Sequence, residues 1–63
     1  MILREMVSLF EDSTIRIFAG PTTIFHGKRT DIPERTWNMR VGPYMDCKVL
    51  NSLAHNGTIL LAI

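Results

Sequence analysis

Lys48-Val-Leu-Asn-Ser-Leu-Ala-His-Asn-Gly-Thr-Ile-Leu-Leu-Ala-Ile63 holds two apolar runs separated by Asn56-Gly57. Asn-Gly suits a two-residue turn with positive φ at both central positions, so the stretch predicts a β-hairpin. A second reading makes Asp46–His55 a helix, with Val49, Leu50 and Leu53 on one face and Asn56-Gly57 as its C-terminal cap. The hairpin is preferred, because the helix leaves Thr58–Ile63 with no neighbour in sequence. Ile59-Leu-Leu-Ala-Ile63 is apolar at every position. A strand with one wet face alternates apolar and polar residues, so both faces of this one are expected to be covered.

Working backwards, Asp31-Ile-Pro-Glu34 reads as a helix start. Asp31 is a capping candidate, Pro33 fits the first turn, and Glu34 can close a capping box. The helix is expected from Ile32 to Met39 with Trp37 as its anchor, ended by Gly42-Pro43. Before it, Thr14–Ala19 and Thr22–His26 are β-branched runs around Gly20-Pro21 and predict another hairpin. With Gly20-Pro21 as its loop, Ile17 faces Ile24, and Arg16 faces Phe25. Leu3, Met6, Val7 and Phe10 recur at helical spacing and predict an N-terminal amphipathic helix, its stripe widened by Ile2 and Leu9. The expected fold is α+β, in the order α-β-β-α-β-β, over one domain of residues 1–63. Two hairpins form a four-stranded antiparallel sheet, and the short helices cover one face.

The helices are too short to cover both faces. A partner subunit is therefore expected on the other, against Val49, Leu53, Leu60 and Ala62, giving a homodimer or larger oligomer. Size points the same way. A chain of 63 residues buries only about 60% of its unfolded surface. Its single cysteine, Cys47, allows no internal disulfide, and no Cys/His set has zinc spacing.

Seven Lys+Arg against six Asp+Glu give a net charge of +1. That balance excludes an acidic nucleic-acid mimic and lacks the dense basic run of a tight monomeric DNA binder. No apolar run reaches the ~20 residues that a membrane helix needs. With no leader pattern at the N-terminus, a cytoplasmic protein is expected.

Arg16 and Phe18 with Phe25, and Lys28 and Arg29 beyond them, suggest aromatic stacking beside phosphate contacts, as in single-stranded nucleic-acid binding. Arg35 extends the basic group at 28–40. Among the acids, Asp31 and Glu34 are accounted for by capping, whereas Asp12 and Asp46 are tied to no local device, and Asp12, after the first helix, is the first candidate. Metal-assisted phosphodiester cleavage needs carboxylates converging on a divalent ion, and no sequence spacing shows that convergence. His26 and His55 read as polar residues at a sheet rim.

Phe10-Glu-Asp-Ser-Thr-Ile-Arg-Ile-Phe18, Ile24-Phe-His-Gly-Lys28, Asp31-Ile-Pro-Glu34 and Val49–Ile63 together resemble small sheet-rich proteins of bacterial phages and prophages. Their most specific element is Gly27 followed by Asp31-Ile-Pro33 after a strand. Within that group the chain most resembles the DNA-nicking anti-CRISPR proteins that counter type II CRISPR effectors. The resemblance implies a compact oligomer acting on supercoiled DNA, with an early acidic residue important for nicking. Asp12 is the matching position, and magnesium is the candidate cofactor. The Met45-Asp-Cys-Lys48 stretch departs from the pattern. Relaxing supercoils would weaken an R-loop that is nearly balanced in energy. The competing function is a non-enzymatic module that binds single-stranded nucleic acid or a protein partner, such as a bacterial defence protein.

Overall fold

A computed structural model describes residues 1–63. Helix α1 spans Leu3–Leu9, strands β1 and β2 span Thr14–Ala19 and Thr22–Lys28, and helix α2 spans Glu34–Arg40. Strands β3 and β4 span Asn51–His55 and Thr58–Ala62. This is the expected α-β-β-α-β-β order, with two short 3-10 turns added at Arg29–Asp31 and Gly42–Tyr44. Residues 51–55 are strand, so the hairpin reading holds over the helical one.

The sheet is mixed rather than purely antiparallel, with strand order β2-β1-β4-β3. Each hairpin is antiparallel within itself, but β1 and β4 meet side by side in parallel. Ile15 lies beside Ile59, and Ile17 beside Leu61. The physical reason is burial. Parallel pairing puts the two most apolar strands at the centre, where their inner faces are covered along their length.

Asn56 at φ 50° and Gly57 at φ 79° form the predicted tight turn of the second hairpin. The first hairpin also turns at Gly20-Pro21, with Ala19 opposite Thr22. Its register then shifts at a bulge: Phe18 lies opposite Thr23, but Ile17 lies opposite Phe25 and Arg16 opposite His26. The extra residue is Ile24. The expected Ile17–Ile24 and Arg16–Phe25 pairs are therefore replaced, and Phe25 points inward. A bulge reverses which residues face the core beyond it, and the larger phenyl ring gains the burial.

Nine buried residues make the core: Leu3, Met6 and Val7 of α1, Ile15 and Ile17, Phe25, Trp37, Val41 and Leu61. Both helices lie against one face of the sheet, as expected. Phe25 and Trp37 meet edge to face, with ring centroids 5.1 Å apart and planes at 81°. In α1 the predicted stripe is buried except at its rim, where Phe10 is half-buried and Leu9 is exposed. Although Glu5 reaches back to accept from the Ile2 amide at 3.1 Å, its N-cap, Ile2, offers no polar cap side chain. The segment 45–49 replaces one: the Leu3 and Arg4 amides donate to the Cys47 and Met45 carbonyls at 2.8 and 2.9 Å. The Val49 amide returns a bond to the Met1 carbonyl at 2.9 Å. Orphan amides at a helix start need partners from somewhere, and here tertiary structure supplies them.

The capping box at Asp31 does not form. Asp31 belongs to the 3-10 turn, Ile32 and Pro33 are extended, and Pro33 itself stands at the N-cap of α2 without a side-chain bond. Glu34 and Arg40 at the two ends of α2 complement its dipole.

Trp37 is 2% exposed and couples α2 to β2. Trp37→Ala should lose about 3–5 kcal/mol of stability, measured by urea unfolding followed by circular dichroism.

Candidate nucleic-acid interface

Register assigns every strand side chain to a face, because residues directly opposite each other project to the same side. The inner face carries Ile15, Ile17, Phe25 and Leu61. The outer face reads in three rows across β2, β1, β4 and β3. The first is Thr23, Phe18, Ala62 and Asn51; the second is His26, Arg16, Leu60 and Leu53; the third is Lys28, Thr14, Thr58 and His55. No helix covers this face.

All ionisable side chains on the strands are in those rows: Arg16, His26, Lys28 and His55, each of them a base. The six acids, Glu5, Glu11, Asp12, Asp31, Glu34 and Asp46, all lie in helices and turns. With the histidines counted neutral, the strands carry two of the seven Lys and Arg, Arg16 and Lys28, and none of the six acids. A surface carrying bases alone presents a positive potential whatever the net charge.

The middle of this face is concave. A shallow groove of about 320 Å³ is lined by Arg16, Phe18, Gly20, Pro21, Thr23 and Leu60. A second, of about 130 Å³, is lined by Phe18, Asn51, Ser52, Leu53, Leu60 and Ala62. Phe18 and Leu60 border both. The Arg16 guanidinium is steadied by the Thr23 hydroxyl, which accepts from Nε at 3.2 Å and from a terminal nitrogen at 2.9 Å. One oxygen occupies two of five donors, and the other three have no partner within the chain.

The sequence-derived site residues divide. Arg16 and Lys28 share the outer face with Phe18, whereas Phe25 belongs to the core. Arg29 does not join them. Its guanidinium lies 4.7 Å from the centre of the buried Trp37 ring, a cation–π contact on the helical side. Arg35 is exposed on α2, away from the sheet face. Leu53, Leu60 and Ala62 share the outer face as expected, but Val49 precedes β3 and packs against the core. Leu60 and Ala62 are half-buried, flanked by Arg16 and Leu53, and by Phe18 and Asn51. Lateral neighbours thus supply part of the cover that the apolar run demanded.

Asp12 is exposed in the turn after α1, two residues before Thr14. The one ion pair in the structure joins Arg4 to Asp46 at 3.1 Å, at the surface. No three His, Cys, Asp or Glu side chains gather where an ion could sit, so magnesium finds no assembled ligand set within one chain. His26 and His55, read from sequence as rim residues, are the members of the basic face that sequence reasoning passed over. Alternation within their strands was the available signal. No helix is long and apolar enough to cross a membrane.

No family model, curated protein or solved structure matches the chain.

The two arginines should separate in a stability measurement. Arg29→Met keeps the aliphatic stem and should lose about 0.5–1 kcal/mol of cation–π energy. Arg16→Ala, an exposed change, should stay within about 0.5 kcal/mol of the parent. Urea denaturation midpoints of the three proteins check this.

Proposed function

We propose that the chain is a binding module that holds single-stranded nucleic acid on the outer face of its sheet. The observation that carries this reading is the make-up of the uncovered face: Arg16, Lys28 and two histidines surround Phe18 and Leu60 there, and every acid lies elsewhere. Phosphates supply the matching charge. Phe18 supplies a ring on which a base can stack, beside the Arg16 guanidinium, and Leu60 continues the apolar floor. A four-stranded sheet is wider than the helix or two-stranded ribbon that the major groove of B-DNA admits, so unpaired bases fit it better than a duplex.

The wider role implied by the resemblance is anti-CRISPR action on supercoiled DNA, and it shares this target chemistry. Asp12 stands two residues from the Lys28–Thr14–Thr58–His55 row, so a nicking reading would place its acid at the rim of the same face. Asp12 belongs to no cluster of three or more metal-ligating side chains, and binding without cleavage is the reading that the basic, aromatic face supports better.

Anisotropy of a labelled oligothymidine should show binding that weakens as salt rises. Phe18→Ala should weaken it by about 5- to 150-fold, corresponding to the 1–3 kcal/mol of one stacked base. Lys28→Ala should lower the salt slope by roughly one phosphate contact. Asp12→Ala should leave binding unchanged. Affinity for the strand indifferent to Phe18 and Lys28 would remove this face from the function. Incubation with supercoiled plasmid, with magnesium or with chelator, should leave the plasmid supercoiled. Relaxed circles that require both magnesium and Asp12 would replace the binding-only reading with the nicking one.

A further inference from the structure

The two edges of the sheet are built differently. β2 carries the features that keep an edge from pairing with another chain. It has a bulge at Ile24, Gly27 at φ 147°, and basic side chains at His26 and Lys28. β3 is less protected, with His55 at its end as its one basic side chain. Asn51-Ser-Leu-Ala-His55 contains no Lys, Arg, Asp, Glu, Pro or Gly, and all five residues are exposed. Leu50 and Leu53, at 75% and 60% exposed, add apolar surface to the same edge.

The hairpin turn determines which backbone groups this edge offers. His55 and Thr58 close a two-residue loop, so they form a hydrogen-bonded pair, and pairing alternates from there. Leu53 and Asn51 then point their amides and carbonyls toward β4. Ser52 and Ala54 point theirs outward, unpaired. These two residues lie symmetrically about Leu53. An identical strand arriving antiparallel therefore satisfies both of them at once, with Ser52 opposite the partner's Ala54 and Ala54 opposite the partner's Ser52. Leu53 falls opposite the partner's Leu53 at a non-hydrogen-bonded position, where side chains approach most closely. Asn51 faces the partner's His55, and no like-charged Lys, Arg, Asp or Glu pair is opposed.

We infer that the free edge of β3 is the site at which a second copy of this chain docks, through a two-fold axis at Leu53. The side chains favour a second copy: the self-paired register sets exposed Leu53 against exposed Leu53 at closest approach and opposes no like charges. The two-fold axis runs perpendicular to the sheet, so both outer faces point the same way. The product is one eight-stranded sheet with strands about 4.8 Å apart. Its outer surface carries two sets of Arg16, His26, Lys28 and His55 on either side of a central leucine strip. This interface runs along the edge of the sheet, in place of the face-to-face contact that the apolar run of β4 led us to expect. It does not depend on what the outer face binds.

Sedimentation equilibrium without nucleic acid, from micromolar to millimolar protein, should show the mass rising from 7.2 kDa toward twice that value. Leu53→Lys is an exposed change and should hold the mass at one chain with an unaltered circular dichroism spectrum. Ser52→Pro removes an outward amide and should do the same. A second measurement does not depend on those variants folding. Cα atoms of a non-hydrogen-bonded antiparallel pair lie about 4.5 Å apart, within disulfide range. Cys47→Ser combined with Leu53→Cys should give a disulfide-linked dimer under mild oxidation, while Cys47→Ser combined with Lys28→Cys stays a single chain. A one-chain mass at every concentration, a dimer that survives Leu53→Lys, or cross-linking through position 28 and not 53 would each overturn the inference.

Discussion

The parallel contact between β1 and β4 is the constraint on which the rest of the molecule depends. Each hairpin alone is a two-stranded ribbon, and such ribbons are marginal in water. Setting Ile15 beside Ile59 and Ile17 beside Leu61 joins the two into one sheet and gives the helices something to pack on. Three of those four side chains are fully buried. The contact joins residues separated by most of the chain, so its loop-closure cost must be met by burial. The helices contribute to that burial. Leu3, Met6 and Val7 enter from one side, and Trp37, wedged against Phe25, from the other.

The same contact decides the character of the outer face. Once β1 and β4 are central, Phe18, Arg16 and Leu60 stand in the middle of an uncovered surface, and His26, Lys28 and His55 stand around it. Acids are confined to helices and turns, where Glu5 accepts from the Ile2 amide at 3.1 Å and Asp46 meets Arg4. Charge with little net sign thus acquires direction from the fold alone. A small chain with a one-sided core can keep acids off one whole face at a net charge of only +1.

Much of this architecture was legible in the residues. Asn56-Gly57 and Gly20-Pro21 marked their turns through backbone chemistry that few other residues satisfy. The spacing of Leu3, Met6, Val7 and Phe10 marked α1, and Trp37 was recognisable as an anchor. Four features were not legible. The parallel pairing of β1 with β4 joins segments distant in sequence, where an all-antiparallel sheet was expected. The bulge at Ile24 has no local signature; it follows from the larger burial available to Phe25. The cap expected of Asp31 gave way to a 3-10 turn. Val49 looked like an outer-face residue because its strand was taken to begin at Lys48, whereas β3 starts at Asn51 and Val49 is drawn to the start of the chain. For the site, Arg16 and Lys28 were found by residue type, while Arg29 was lost to Trp37.

What the sequence determined by itself was local: where the chain turns, which segments are helix or strand, and that one strand is apolar on both sides. These follow from φ preferences and hydrophobic period, which act over a few residues. What only the tertiary structure decided was relational: the parallel joining of the hairpins, the inward turn of Phe25, the capture of Arg29 by Trp37, and the gathering of four bases on one uncovered face. Such choices are made by burial and by contacts between distant segments, and no short stretch of chain carries them.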